Sequence, residues 1–488
     1  ARRVGVAEED AARVYYLSLL RHVGCTAESD MSADFLGDEV AFRRDAITLD
    51  FTKPSAVFPY MVRHVGEGKS IFGRARHVAK MVAGSKKFMG AMDSVCETGQ
   101  MLATRLGFDA VVQQGLWQIF EHWDGNGLPG RVGGDDIVRP ARFVAIAELF
   151  EGLSRLEGPE RAVAVIEGRR GTAFEPEIVD CLCREWRSFL PAFDQASVWE
   201  EVLATEPEPR DDLTDDQFDE VLYTIADFTD LKSTFMLGHS RGVADLAGAA
   251  GTVAGLAETD IATLRRAGLV HDIGRVGVTA SVWGKNTALS RDEWEKVRLH
   301  PYYTERVLTR PAALAELGLL ASTHHERLDG GGYHRAVPAS VLTQPARILA
   351  AADGYRARIE TRAHRPAMTG DESAASLRDE VKDGRLDPDA VEAVLQAAGH
   401  GAGRRRRPAQ AGGLTDRERE VLALVARGQS IRQIGQTLTI SPKTADAHIQ
   451  HIYTKLGVTT RAGATLWAVH NGVVDGAERW GEDRETSR

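Results

Sequence analysis

Seven residues of the kinds that hold metal ions follow one another through the middle of the chain: His239, the adjacent pair His271-Asp272, His300, the adjacent pair His324-His325, and Asp353. Imidazole nitrogens and carboxylate oxygens with no thiolate among them favour Fe, Mn, Ni or Zn over Ca. Hydrolysing a phosphate ester at neutral pH needs a hydroxide and charge neutralisation, and two metal ions about 3.5 to 4 Å apart supply both. The His-Asp adjacency suits that work. Its imidazole can cap one ion while the Asp272 carboxylate bridges two, and His and Asp residues on other helices complete both shells. A lone His in a helical protein is far more often packed or solvated than a ligand, but seven candidates in order point to a metal centre.

The elements that position these residues read as helices. Between two linkers, Thr205 to Asp212 (TEPEPRDD) and Gly399 to Gly413 (GHGAGRRRRPAQAGG), the chain is mostly Ala, Leu, Val, Arg and Glu at helical spacing, with few alternating β-branched runs. At 488 residues the chain is too long for one ordinary core, so several domains are expected. An internal repeat supports this. The stretch Glu121 to Glu148 (EHWDGNGLPG, then VRPARFVAIAE) parallels Glu326 to Asp353 (ERLDGGGYHR, then TQPARILAAAD) at a constant offset of 205 residues. Upstream, LLRHVG at Leu19 to Gly24 parallels LVHDIG at Leu269 to Gly274. The expected layout is therefore a first helical copy over 1–204, a second over 213–399, a basic linker over 400–413, a third domain over 414–475 and a tail over 476–488.

Composition narrows the classes further. No apolar run approaches the roughly 18 to 20 residues of a membrane-spanning helix, and no basic segment leads into an apolar stretch at the start, so a cytoplasmic protein without a membrane partner is expected. Cys25, Cys96, Cys181 and Cys183 lack the paired CxxC spacing of a zinc site and are too few for a disulfide scaffold. The net charge of −10 is unevenly placed: Gly401 to Asp475 holds eleven Lys/Arg against five Asp/Glu, so one end alone suits a polyanion.

That end carries three helix starts. Thr415 with Glu418 forms a capping box before Val421, Leu422 and Val425, and the helix stops at Gly428. Ser430 with Gln433 forms another before Ile431, Ile434 and Leu438. After the turn Thr439-Ile440, Ser441 is the N-cap and Pro442 the first helical residue, where a missing N–H costs nothing. On this third helix Ala445, Ile449, Ile452 and Leu456 share one face, while Lys443, Ala447, Gln450 and Thr454 share the other. A small polar face is what a major-groove reader needs. Lys443, Asp446, Ala447 and Gln450 are assigned to the groove with Thr444 beside them, and Arg432, Lys455 and Arg461 to phosphates. The run Arg404 to Arg407 reads as a solvated linker able to add salt-sensitive affinity.

The string LTDREREVLALVARGQSIRQIGQTLTISPKTADAHIQHIYTKLGVTTRAGA resembles the LuxR-type helix-turn-helix over its whole length. That resemblance implies a four-helix domain, binding to promoter double-stranded DNA, and a homodimer. The segments HDIGRVGV, RLHP, HHERLDGGGYH and ARILAAAD resemble the HD superfamily of metal-dependent phosphohydrolases, most closely its HD-GYP branch. This second resemblance implies an all-α fold and two or three divalent ions held by His239, His271, Asp272, His300, His324, His325 and Asp353. It also implies phosphodiesterase activity, with cyclic di-GMP as the branch's substrate.

Within that resemblance Arg275 stands for the family's Lys after HD-x-G and keeps its positive charge, so it joins Asp272 as a catalytic candidate. Arg275, Arg362 and Arg365 are the phosphate-binding candidates. His334 replaces the Pro of the GYP triplet, so the ligand is taken no further than a phosphorylated small molecule such as a cyclic dinucleotide. The first copy has Arg21-His22 at the positions of His271-Asp272 and Ile119-Phe120 at those of His324-His325, and keeps only an acid, Glu148, for Asp353. It is expected to have lost the metal and kept the fold. The whole chain thus reads as all-α: two HD-type helical domains in tandem and a LuxR-type helix-turn-helix, forming a regulator that hydrolyses or senses its ligand. The alternative is a regulator whose metal site is structural or ligand-sensing without catalysis.

Overall fold

The structure, a computed structural model, describes residues 1–36, 38–40, 59–60, 85–193, 197–207, 213–400 and 414–474. Residues 208–212 of the first expected linker, residues 401–413 with Arg404 to Arg407, and the tail 476–488 lie outside the described residues. Among the described residues every element is helical apart from two isolated bridges, Arg170 with Phe174 and Arg362 with Arg365. The all-α expectation holds. The chain divides into two compact units, Ala1–Asp215 and Asp216–Arg488.

The described helices of the first unit are α1 (Glu8–Leu20), α2 (Ser29–Leu36), α3 (Ser85–Arg105), α4 (Ala110–Trp117), α5 (Arg139–Glu157), α6 (Pro159–Glu167), α7 (Pro176–Glu185) and α8 (Val198–Ala204). Helix α5 is its axis. Ala141 and Val144 join a core with Leu17 of α1 and Leu116 of α4. Phe143, Ile146, Leu149 and Phe150 join a second core with Ile166, Val179 and Trp186. A helix apolar on both sides is a buried helix, and the Pro residues in the first turns of α5, α6 and α7 mark starts where the missing N–H is harmless.

The second unit contains α9 (Asp215–Asp230), α10 (His239–Val253), α11 (Glu258–Val270), α12 (Ala280–Trp283), α13 (Arg291–Arg298), α14 (His300–Leu308), α15 (Ala315–Ala321), α16 (Gln344–Ile359), α17 (Gly370–Lys382) and α18 (Pro388–Leu395). Ala-rich α16 runs through its centre with Ile348, Leu349, Ala351 and Ala352 fully buried, packed with Val243, Leu264, Leu377 and Leu395 of its neighbours.

Local bonding repeats between the two units. The Glu121 carboxylate accepts from the N–H groups of Gly130 and Arg131 at 3.1 and 2.9 Å, and Glu326 accepts from Arg335 and Val337 at 2.8 and 3.1 Å. Arg142 donates to Ile137 O at 2.7 Å as Arg347 donates to Leu342 O at 2.9 Å. The loop bends alike in both, with cis bonds at Leu128–Pro129 and Tyr333–His334. A Cβ on Gly24 would lie 1.9 Å from Val95 O, and one on Gly274 would lie 1.9 Å from His300 O. Only glycine permits that approach, and it sets the register: Val95 occupies the place of His300.

The C-terminal helices are α19 (Asp416–Ala426), α20 (Ile431–Leu438), α21 (Pro442–Leu456) and α22 (Arg461–His470). Both capping boxes form in full, and Ser441 accepts from Thr444 N at 3.0 Å. The fourth helix starts at the Thr460 cap, which accepts from Gly463 N at 3.0 Å. Lys455 Nζ reaches Glu418 Oε2 at 2.7 Å, and this bond, followed by the Thr415 N–H, holds the Glu418 carboxyl down to about 2. A depressed carboxyl contributes stability above its unfolded value, and that stability is lost as pH falls from about 4.5 towards 2. Glu418→Gln keeps the box but removes the charge. It is expected to lower the unfolding free energy at pH 7 by about 1 kcal/mol, a figure discounted because Lys455 is 42% exposed. Urea titrations of wild type and variant should draw together as pH falls below about 4.5 and converge near pH 2.

Candidate metal centre

Helix ends place the imidazoles. His271, His300 and His324 each follow the end of a helix or turn, where carbonyls lack helical partners. Their Nδ1 atoms lie 2.8 Å from Gly268 O, 2.6 Å from Val297 O and 2.7 Å from Ala321 O. A carbonyl only accepts, so each Nδ1 carries a hydrogen, and the nitrogen left to ligate a cation is the inward-turned Nε2. His239, the first residue of α10, uses a carboxylate instead: its Nδ1 lies 2.7 Å from Glu360 Oε2.

All four Nε2 atoms converge on Asp272, which is fully buried. Its Oδ2 lies 3.3 Å from His271 Nε2 and 3.6 Å from His239 Nε2, while its Oδ1 lies 3.3 Å from His300 Nε2 and 3.5 Å from His324 Nε2. Asp353 repeats this on the other side, with Oδ1 at 3.3 Å from His239 Nε2 and Oδ2 at 3.8 Å from His325 Nδ1. His239, His271 and Asp353 make one group able to hold an ion, and His300, His324 and His325 another.

The donor set fits cations. His300 Nε2 and His324 Nε2 face each other at 3.0 Å, two lone pairs that only a cation or a shared proton can reconcile. Buried atoms of His239, His271, Asp272 and Asp353 have no hydrogen-bond partner among the described residues, an arrangement that is costly unless a charge fills it. Burial opposes ionisation of Asp272, but Arg275 and His271 outweigh it and hold the carboxyl well below its usual range. Burial pulls His300 down to about 4, leaving it neutral and able to ligate.

Sequence profiles of known families match two parts of the chain: the HD domain over residues 91–178 and 223–390, and the luxR family of bacterial regulatory proteins over 413–468. The chain belongs to the HD domain family. Among its relatives is 3′3′-cGAMP-specific phosphodiesterase 3 of Vibrio cholerae, 28% identical over 397 residues, covering 80% of this chain and 86% of the relative. The cyclic di-GMP phosphodiesterase response regulator RpfG of Xanthomonas campestris pv. campestris is 33% identical over 165 residues, 33% of this chain and 43% of RpfG, so this chain spans less than half of it. A crystal structure of a cyclic GMP-AMP specific phosphodiesterase from V. cholerae superposes with a TM-score of 0.53 at 23% identity, covering 81% of this chain and 89% of that one, which establishes the shared fold.

Within the second HD copy the arginine candidates divide. Arg275 Nε lies 2.7 Å from Asp272 Oδ2, and its guanidinium sits over Trp283 at 4.7 Å. Arg362 donates to Glu360 Oε2 at 2.9 Å and to Phe235 O at 2.7 Å, one residue removed from the ligands. Arg365 faces the carbonyls of Ala357, Arg358, Glu360 and Pro366 and is turned to its own loop. His334 points to Glu305 at 3.3 Å.

In the first HD copy a protein cation stands where ions would be. The buried Arg21 guanidinium pairs with Glu148, and His22 Nε2 lies 3.2 Å from the same carboxylate. With Val95 in place of His300 and Ile119 among the core residues, that copy has no ligand cluster among the described residues.

On the helix-turn-helix, Lys443, Thr444, Asp446, Ala447 and Gln450 are all exposed, while Ala445, Ile449 and Ile452 are buried. Arg432 is exposed. Lys455 is tied to Glu418, and Arg461 donates to Gln429 O at 2.7 Å.

Glu360 is the residue that ligand counting missed. It lies seven residues after Asp353, at the C-cap just past the end of α16, and that two-turn spacing was its sequence signal. Buried to 3% exposure, it holds His239, Arg362 and, at 3.3 Å, Arg356. A carboxylate behind a ligating imidazole fixes its orientation and basicity. Glu360→Gln is expected to weaken metal affinity about 10- to 100-fold, read by competition with a chelating dye.

Proposed function

We propose that this protein is a DNA-binding transcriptional regulator whose second HD copy holds two divalent ions, from Fe, Mn, Ni or Zn, and hydrolyses a phosphodiester of the cyclic-dinucleotide class. The observation that carries this reading is the placing of Asp272, with one oxygen towards His239 and His271 and the other towards His300 and His324. Asp353 and His325 complete the two sets. When bound, the ions would neutralise phosphate charge and activate the attacking water. Arg275, partly exposed above Asp272, is the group suited to bind a non-bridging phosphate oxygen. Arg362, held by Glu360, adds positive potential at the same wall. The relatives named above are phosphodiesterases of cyclic dinucleotides, which supports the substrate class.

Lys443, Thr444, Asp446, Ala447 and Gln450 are the proposed groove face, with Arg432, Lys455 and Arg461 near phosphates. A homodimer would present two such faces about one helical turn apart. The domain layout proposed is 1–204, 213–399 and 414–475, with 400–413 as linker. One observation favours the second reading, a ligand sensor without turnover: Arg275 itself sits on Asp272 and competes with a cation there. The test loads the protein with Mn or Fe and offers cyclic dinucleotides and bis(p-nitrophenyl) phosphate. Turnover supports catalysis. Metal and ligand binding without turnover supports the sensor, and no metal uptake defeats both.

A further inference from the structure

Beside the metal centre lies a cavity of about 420 Å³, lined by Trp294, His325, Arg327, Asp329, Tyr333 and Arg385. Its volume is near the lower end for small-molecule sites, room for one nucleotide unit. His325 belongs to the ligand cluster, so an occupant here reaches the reacting centre.

The lining has the chemistry of base recognition. Trp294 is 48% exposed and meets Tyr333 edge-on at 6.4 Å. Its neighbours on α13, Arg291, Asp292, Glu295 and Lys296, are all exposed polar residues. A large indole left in water at the rim of a charged cavity is a stacking platform that lacks its partner. Tyr333 is already committed, stacked on His325 at 4.6 Å with Arg298 5.6 Å from its ring.

Glu380 anchors the cations, lying 3.2 Å from Arg385 and 3.7 Å from Arg327. Arg327 is turned inward, donating to His324 O and Glu326 O at 3.2 and 2.9 Å, whereas Arg385 is 45% exposed and keeps donors for a ligand. Asp329 accepts from Gly331 N at 2.8 Å through Oδ1, which leaves Oδ2 as an acceptor.

We propose that this cavity is a guanine subsite: Trp294 stacks on the base, Arg385 donates to O6 and N7, and Asp329 accepts from N1–H and N2–H. Guanine is the base with two adjacent acceptors for a guanidinium, whereas adenine sets an N6 donor against it. The assignment deepens the phosphodiesterase reading by fixing one base of the substrate, and rests on that reading only for its purpose.

The test is calorimetric titration of the full chain, loaded with Mn, with 5′-GMP and 5′-AMP. GMP should bind at least about tenfold more tightly than AMP. Trp294→Ala should weaken GMP about tenfold, the usual effect of removing a stacking ring. Arg385→Ala should remove the preference for GMP, and Arg385→Lys should restore part of the affinity but not the bidentate discrimination. Metal content and thermal midpoint report whether the variants are folded. Equal binding of GMP and AMP, no binding of GMP, or folded variants that bind GMP like wild type would each overturn the proposal. The phosphodiesterase reading fails separately, when GMP binds but bis(p-nitrophenyl) phosphate is not cleaved.

Discussion

Asp272→Ala is expected to empty the second HD copy of both ions and to slow phosphodiester hydrolysis by at least about 10³-fold, since the ions supply several kcal/mol of charge stabilisation. The size follows from geometry. Asp272 is the one carboxylate within 3.6 Å of His239, His271, His300 and His324 together. Removing it leaves four imidazoles around a void, and neutral rings alone do not balance two divalent charges. It also leaves the partly exposed Arg275 beside them with no anion at 2.7 Å, so the remaining field repels cations. Asp272→Asn separates the two effects. It preserves volume but turns an amide N–H₂ towards imidazole lone pairs, and should lose about as much metal as alanine. Plasma mass spectrometry of metal per chain and p-nitrophenol release are the measurements. A variant that keeps wild-type metal and rate would remove Asp272 from the centre.

What was legible in the sequence divides along contact range. Capping boxes at Thr415 and Ser430 and the Ser441-Pro442 start are local signals, and all three appear in the structure because four residues decide them. The ligand types were visible because His and Asp rarely cluster without cause, and the structure brings the seven into overlapping groups, all buried except the partly exposed His325. Their supports were not visible. The carbonyls of Gly268, Val297 and Ala321 that set the ring tautomers belong to helix ends, and Glu360 acts across 121 residues. The match of Val95 to His300 was hidden by the length difference between Gly24 and that position, and only the glycine contact exposes it. Cations were the least legible: charge alone cannot tell that Arg365 serves carbonyls, Lys455 serves Glu418, or Arg21 pairs with Glu148. Each of these is a long-range pairing or a loop turning on itself, which periodicity does not encode.

A chain ending at Gly399 should lose all sequence-specific DNA affinity, because the proposed reading face, exposed from Lys443 to Gln450, lies wholly beyond that point. Within the full chain the contacts should separate by chemistry. Gln450→Ala removes a side chain able to make a bidentate bond to adenine, and is expected to cost about 1–3 kcal/mol at one base position while relaxing preference there. Arg432→Ala, at an exposed phosphate-contact position, should weaken all sequences alike and reduce the slope of log affinity against log salt by about one. Lys455→Ala should change the slope less, since its ammonium already pairs with Glu418 at 2.7 Å and must break that bond to reach a phosphate. Its larger effect should be on domain stability, through the Glu418 carboxylate left behind. Gel shifts across a salt series, with thermal melts of the same variants, resolve the three. Equal salt slopes for Arg432→Ala and wild type would place Arg432 off the phosphates, and affinity retained by the shortened chain would move DNA recognition to another part of the protein.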